Sequence, residues 1–110
     1  MSHVAPPPSA AAPAALEALF DSLVDRWKQE RGPSSSTTEL AMCPSYQRII
    51  GLGPAVVPLL LRSLERAPDH WFWALKAITG ADPVPPPHRG KVREMAQDWL
   101  AWGREQGYKW

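Results

Sequence analysis

Apolar residues in the first third of the chain recur at the spacing of one face of an α-helix. They occupy positions i, i+3, i+4, i+7, i+8 and i+11, and they are Leu16, Leu19, Phe20, Leu23, Val24 and Trp27. Glu17, Asp21 and Lys28 lie off that face, as expected for a helix with one side in solvent. Pro13 suits a first helical turn and Gly32-Pro33 a helix end, so the pattern predicts a first helix between them.

Shorter helical segments follow in the middle of the chain. The hydroxyl-rich run of residues 34–38 is typical of capping material, and it precedes about one turn of helix over residues 39–42. A short helix is predicted over residues 45–50. The next helix opens at Gly53-Pro54 and places Pro58 in its second turn, where the missing N–H and the ring are expected either to bend the helix or to pack on a neighbouring element. The buried stripe of that helix is predicted to be Val57, Leu60, Leu61 and Leu64.

Two more helices are predicted in the last third of the chain. Asp69 is the expected N-cap of a helix over residues 71–79, and Gly80 is its expected end. The proline-rich residues 81–87 cannot continue a helix and predict an extended or turn segment. The final helix is expected over residues 89–106. No segment alternates apolar and polar positions long enough for a strand, so the sequence predicts an all-α fold, a small irregular bundle of about five helices.

The composition is that of an ordinary soluble globular protein. Apolar residues make up 45% and charged residues 21% of the chain, which predicts one domain over residues 13–110 with a core of modest depth. Residues 1–12 are rich in proline, alanine and serine, and they carry too few large apolar groups to offset the entropy of ordering, so we expect them to be disordered. The lack of asparagine and the preference for arginine over lysine indicate a GC-rich, bacterial genome.

Charge, cysteine usage and apolar runs argue against several classes of protein. The net charge of +1 provides no strong field toward nucleic acid or an anionic membrane. Cys43 is alone and the histidines lack metal-site spacing, so we expect no disulfide, no metal and no cofactor. The N-terminus does not read as a secretory signal, and the apolar run of residues 55–61 is too short to cross a bilayer. A cytoplasmic protein without membrane association is expected.

Part of the chain follows a known helical-repeat pattern. In residues 53–80, GP opens one helix, a proline lies inside it, and PD precedes a second helix that ends at a glycine. This arrangement resembles a single HEAT-like repeat. ALKAITG followed by DWLAW also resembles the end of small bacterial HEAT-like domains, where a final helix carrying tryptophans closes the stack, so the likeness extends over about residues 53–106. The chain also looks like a group of small bacterial proteins without an assigned activity.

The second helix of this hairpin carries large apolar groups on more than one face. At about 100° per residue, Ile78 lies close to the direction of Trp71, whereas Trp73 lies nearly opposite, beside Lys76. In one interpretation, the helix is sandwiched inside the bundle and both tryptophans are core. In the other, Trp73 stays partly exposed as an anchor for a partner, because tryptophan is enriched among binding hot spots.

The leading functional hypothesis is a small non-catalytic helical module that binds a protein partner or associates with itself. Modules of this kind serve as adaptors, accessory subunits or antitoxin-like inhibitors, which is an analogy at the level of fold. The predicted interaction residues are Trp73, Phe72, Trp71, Lys76 and Arg62.

The last helix offers an alternative function, nucleic-acid binding. Its region interleaves basic and aromatic residues, namely Arg89, Lys91, Arg93, Arg104 and Lys109 with Trp99, Trp102 and Trp110. Such a combination can bind single strands by charge and stacking. Glu94, Asp98 and Glu105 lie among the basic residues and cancel much of their field. Tyr108-Lys109-Trp110 is expected either to fold back on the first helix or to offer a short aromatic tail to a partner.

A small enzyme or ligand-binding protein is the remaining alternative. Its candidate polar site combines Asp69-His70 and the Ser34–Thr38 loop, with Ser35, Tyr46 and Arg48 lining a small groove. A general base at His70 would need a paired acid, a nucleophile or further metal ligands, and no motif supplies them. Capping by the serines and an ordinary first-turn histidine are the favoured interpretations. Cys43 is either a helix-start thiol with a lowered pKa or a small apolar residue of the core.

Overall fold

The computed structural model describes residues 14–33 and 36–110, and every regular element within these ranges is helical. The α-helices are α1 (Ala14–Arg31), α2 (Thr37–Met42), α3 (Pro44–Gly51), α4 (Val57–Arg66), α5 (Phe72–Thr79) and α6 (Val92–Glu105). Two short 3₁₀-helices are Gly53–Val56 and Pro86–His88. The all-α class is therefore confirmed. The tail of residues 1–12, predicted to be disordered, lies outside the described residues, as do Ser34 and Ser35.

Several helix ends lie where the sequence signals place them. Pro44 begins α3, where its missing N–H is harmless. Gly80 ends α5 with a φ of 72°, in the left-handed region that glycine adopts without strain. The last helix begins at Val92, three residues later than predicted from Arg89, because the chain first makes the 3₁₀ turn Pro86–His88 and a further turn at Gly90.

The prediction that Pro58 bends its helix from the second turn is wrong. The residues around Pro54 form the 3₁₀-helix Gly53–Val56, and the α-helical hydrogen-bond pattern starts only at Val57. Pro58 consequently lies in the first turn of α4. An N–H at that position has no acceptor within the helix, so its absence leaves no gap in the hydrogen bonds.

The centre of the core is a cluster of four aromatic rings around Trp71. The centroid of the Trp71 ring lies 4.5 Å from that of Trp27, 5.5 Å from that of Tyr46 and 6.0 Å from that of Phe20. Trp71 is 1% exposed, and its indole N–H donates to the Ser63 hydroxyl at 3.1 Å. One side chain therefore joins α1, α3, α4 and the start of α5, and ring packing of this kind stabilises a core beyond simple burial.

A second packing region joins α4 to α6. The stripe predicted for α4 is fully buried, namely Val57, Leu60, Leu61 and Leu64. On α6, Gly103 leaves room for two neighbours, because a Cβ at this position would lie 2.7 Å from Leu61 Cδ1 and 3.1 Å from Trp110 Cζ3. The C-terminal residues thus fold back on α6 rather than on the first helix, and the other alternative, an aromatic tail offered to a partner, stays a prediction.

Side chains from distant elements satisfy several helix ends. Glu30 of α1 accepts hydrogen bonds from the Ser45 backbone N–H at 3.0 Å and from the Ser45 hydroxyl at 2.7 Å, at the N-terminus of α3. The Trp27 indole N–H donates to the carbonyl oxygen of Leu40 in α2 at 2.9 Å. Helix termini carry backbone groups that the helix itself cannot pair, so these contacts fix how the short helices meet α1. None of the helices in the described ranges combines the length and apolar character needed to cross a membrane.

Candidate functional site

A groove of about 580 Å³ opens between α5, α6 and the proline-rich connection that joins them. We call it the aromatic groove, and its lining residues are Thr37, Phe72, Trp73, Lys76, Ala77, Asp82, Val84, Arg89, Met95 and Trp99. Trp99 and Val84 are buried, at 1% and 6% exposure, and form its deepest part. Phe72 and Met95 are partly buried beside them. The volume lies in the range of natural small-molecule sites, and most of the lining is apolar.

Trp73 forms an exposed side of the aromatic groove. It is 40% exposed, whereas Trp71, two residues earlier, is 1% exposed. The helical period explains the contrast, because two residues turn a side chain about 200° around the axis. Trp71, directly before α5, and Leu75 within it both face the core, so Trp73 must point away from the core. The interpretation in which both tryptophans are core residues therefore does not hold.

Three charged residues line the groove and share one carboxylate. The Lys76 ammonium lies 3.2 Å from Asp82 Oδ2, and the Arg89 guanidinium lies 3.6 Å from the same oxygen. Both basic side chains are mostly exposed, at 62% and 64%. Two cations thus face one anion, which leaves one positive charge without a partner of opposite sign among the lining residues.

The structure brings together three of the five predicted interaction residues. Phe72, Trp73 and Lys76 all line the aromatic groove. Trp71 cannot serve as an anchor, because it is buried in the ring cluster. Arg62 does not belong to this surface either, since it lies on α4, pairs with Glu17 of α1 and lines a different cleft, between α1 and α4.

Two of the residues predicted to line a polar groove do not share a surface, because Tyr46 is buried and Arg48 is exposed. The Tyr46 hydroxyl donates to the His70 carbonyl oxygen and accepts from the Ala74 N–H, each at 2.9 Å, and burial raises the pKa of this phenol. Arg48 lies two residues further along α3, on its exposed face. No hydrogen bond or ion pair joins the His70 ring to another described residue. Ser35, the third residue of that prediction, lies outside the described residues.

Asp69 has a structural role that differs from the predicted one. The N-cap of α5 is Trp71, whose side chain makes no capping hydrogen bond, so the expectation of an Asp69 cap is wrong. The Asp69 carboxylate instead accepts from its neighbour, the His70 N–H, at 2.8 Å and from Arg31 at 3.0 and 3.3 Å. The Arg31 guanidinium also lies 4.2 Å from the centroid of the Trp27 ring. Asp69 thus fastens the α4–α5 connection to the end of α1.

The aromatic residues of the C-terminal region pack largely on one another. Trp99 is buried at 1% exposure, so it cannot stack on a base. The ring of Trp102 lies 5.3 Å from that of Trp99 and 5.7 Å from that of Tyr108. Arg104 lies over the Trp110 ring at 5.4 Å. Nucleic-acid binding stays a prediction, and no arrangement of these residues favours it.

Cys43 is not an activated thiol. Its Sγ lies 3.5 Å from the Glu39 carbonyl oxygen, and partial burial together with the charge of Glu30 raises the pKa of the thiol. A raised pKa keeps the group protonated and unreactive near neutral pH. In the part of the chain that the structure describes, no cluster of histidine, cysteine or acidic side chains is suited to hold a metal ion.

Sequence reasoning missed most of the aromatic groove. Val84, Met95 and Trp99 come from the connection and from α6, and the sequence contains no spacing that links them to α5. The only available signal was the proline-rich run, since an extended segment between two helices can lie across both of them.

Comparison with known proteins leaves the family open. No protein-family model, no curated protein and no solved structure gives a significant match to this chain. The likeness of about residues 53–106 to a HEAT-like repeat domain, and the bacterial origin inferred from composition, therefore stay predictions.

Proposed function

We propose that this protein is a small helical interaction module that binds a segment of a protein partner in the aromatic groove. The observation that carries the proposal is the position of Trp73. This large aromatic side chain is 40% exposed and borders a groove whose deepest part is already apolar.

Exposure alone would be weak support, because single apolar residues on a surface are ordinary. Leu19 and Met42 are exposed too, at 37% and 53%, but neither lines the groove. Trp73 differs because it stands beside a concave apolar surface, so that a partner side chain entering the groove would bury both the indole and the groove. Tryptophans in such positions are strongly enriched among binding hot spots.

The construction of the fold fits this role. Two contacts fix the start of α5 to the core. Trp71 packs in the ring cluster, and the Ala74 N–H donates a hydrogen bond to the Tyr46 hydroxyl. A helix whose backbone is already ordered has less conformational freedom to lose on binding, which favours affinity. Within this proposal the module acts as an adaptor, an accessory subunit or an antitoxin-like inhibitor, and a second copy of the chain is the simplest partner to test.

The test compares two exposed apolar residues, Trp73 in the groove and Met42 outside it. We expect Trp73→Ser to abolish binding of a protein that the wild type retains from a lysate of its native host, and Met42→Ser to leave that binding intact. The retained protein is then purified, and its affinity is measured directly for the wild type, Trp73→Ser and Met42→Ser. Sedimentation of the wild type alone tests self-association. Equal binding by the wild type and Trp73→Ser, with a monomeric wild type, would contradict the proposal.

A further inference from the structure

The charges in the aromatic groove restrict what can occupy it. Among its lining residues, Lys76 and Arg89 both approach Asp82 Oδ2, at 3.2 and 3.6 Å. One carboxylate oxygen cannot neutralise two cations, so the groove carries a net positive charge beside its apolar interior. An occupant that is only apolar would leave this charge without compensation, and a basic occupant would be repelled.

From this arrangement we propose that the segment bound in the groove pairs one large apolar side chain with a neighbouring carboxylate. The apolar side chain packs between Trp73 and the partly buried Phe72 and Met95, and the carboxylate joins Lys76 and Arg89. This inference rests on the proposed function, because it specifies the chemistry of the partner at the same site.

Asp82 has a defined part in this proposal. Its carboxylate holds both basic side chains in the free protein and therefore competes with the carboxylate of the partner. It also repels that carboxylate once the segment is bound. Asp82 consequently weakens binding of an acidic segment, and removing its charge strengthens the binding.

The first experiment identifies the occupant without assuming it. Random short peptides displayed on phage are selected against the 110-residue chain, with the Trp73→Ser variant as the counter-selection. We expect the enriched sequences to contain an aromatic or large aliphatic residue close to Asp or Glu. Enriched apolar sequences without acidic residues overturn this inference and leave the proposed function standing. If peptides are enriched no better on the wild type than on Trp73→Ser, both this inference and the proposed function are overturned.

The second experiment measures the role of the charges with the most enriched peptide. We expect Asp82→Asn to lower the dissociation constant of this peptide by about two- to fivefold, the range for one exposed charge pair. Lys76→Gln and Arg89→Gln should each raise it by about the same factor. Arg48→Gln, an exposed basic residue on α3, is the matched control and should change nothing.

The side chains replaced in this experiment are all solvent-exposed, namely those of Arg48, Lys76, Asp82 and Arg89. We therefore expect the variants to retain the fold, and far-UV circular dichroism checks this before binding is measured. The effect of Asp82→Asn should also shrink as salt is added, because screening acts on exposed charges. If Asp82→Asn binds the peptide as tightly as the wild type, or less tightly, the inference is overturned. That result is expected of an apolar groove that does not select its ligand by charge.

Discussion

The hydroxyl of Tyr46 accepts a hydrogen bond from the backbone N–H of Ala74 at 2.9 Å. Ala74 is the third residue of α5, so its N–H is one of the four that the helix itself leaves unpaired. The same hydroxyl donates to the carbonyl oxygen of His70 at 2.9 Å. A residue of α3 therefore performs the capping that the sequence assigns to Asp69. The consequence is that α3 sets the position and direction of α5, and hence of Trp73.

Replacement of Tyr46 by phenylalanine should test this cap directly. Tyr46→Phe keeps the ring packed against Trp71 but removes the partner of the buried Ala74 N–H and of the partly buried His70 carbonyl oxygen. We expect a loss of about 1–3 kcal/mol in the free energy of unfolding, the usual cost of unpaired buried polar groups. Urea unfolding followed by circular dichroism measures it.

The matched control for that variant is Tyr108→Phe. The Tyr108 ring packs on Trp102, at 5.7 Å between centroids, but its hydroxyl makes no hydrogen bond to the described residues. Its removal should change the unfolding free energy by less than about 0.5 kcal/mol. Equal losses in the two phenylalanine variants would show that the hydrogen bonds of Tyr46 contribute nothing specific.

The two tryptophans of the α5 region should differ sharply in their effect on stability. Trp71→Ala removes the ring that contacts Phe20, Trp27 and Tyr46, and we expect a loss of about 3–5 kcal/mol, with Trp71→Phe as a milder variant if the alanine chain does not fold. Trp73→Ala removes a side chain that is 40% exposed, and its cost should stay below about 1 kcal/mol. Thermal unfolding distinguishes the two. Equal destabilisation by both alanine variants would remove the support for Trp73 as a binding residue.

Local signals predicted the order and type of the helices because they act over a few residues. The periodic stripe of α1, the proline that starts α3 and the glycine that ends α5 all depend on backbone sterics and burial within one turn or one helix. The same signals separated Trp71 from Trp73 by angle. They failed at Leu19, which belongs to the apolar stripe of α1 but is 37% exposed, because the bundle covers only part of that stripe.

Contacts between distant segments determine the features that local signals could not predict, namely the caps of α3 and α5 and the aromatic groove. The cap of α5 comes from Tyr46, 28 residues before Ala74, and the cap of α3 comes from Glu30 on another helix. No local rule relates such pairs. The aromatic groove has the same origin, since Val84 and Trp99 meet α5 only after the proline-rich connection has crossed between the helices. The sequence could therefore nominate Trp73 but could not supply the surface around it.

Stability should fall at acid pH through Glu30. Its hydrogen bonds with the Ser45 hydroxyl and backbone N–H lower the pKa of this carboxyl in the folded state. A lowered folded pKa means that the contribution is fully present above the glutamate pKa of the unfolded chain and is lost as the pH falls through the folded value. Glu30→Gln should destabilise the protein at about pH 7, and the difference from wild type should shrink toward about pH 2.

The control for the acid effect is Glu105→Gln. Glu105 is exposed at the end of α6, and no ion pair or hydrogen bond links its side chain to the described residues. Its replacement should leave the unfolding free energy at about pH 7 within about 0.5 kcal/mol of wild type. A pH dependence for Glu30→Gln that matches wild type would show that other carboxylates cause the acid sensitivity.

Two glycines in helices should respond oppositely to alanine. In an open helical position this change stabilises by about 0.5–1 kcal/mol, because alanine loses less backbone entropy on folding. A Cβ at Gly51 would meet no atom within 4 Å, so Gly51→Ala should show that gain. A Cβ at Gly103 would lie 2.7 Å from Leu61 Cδ1, and Leu61 is fully buried and cannot easily move aside. We expect Gly103→Ala to destabilise by about 1–3 kcal/mol, the usual cost of overpacking. Urea unfolding of both variants measures the difference, and stabilisation by Gly103→Ala would mean that Leu61 and Trp110 are more loosely packed against α6 than their positions indicate.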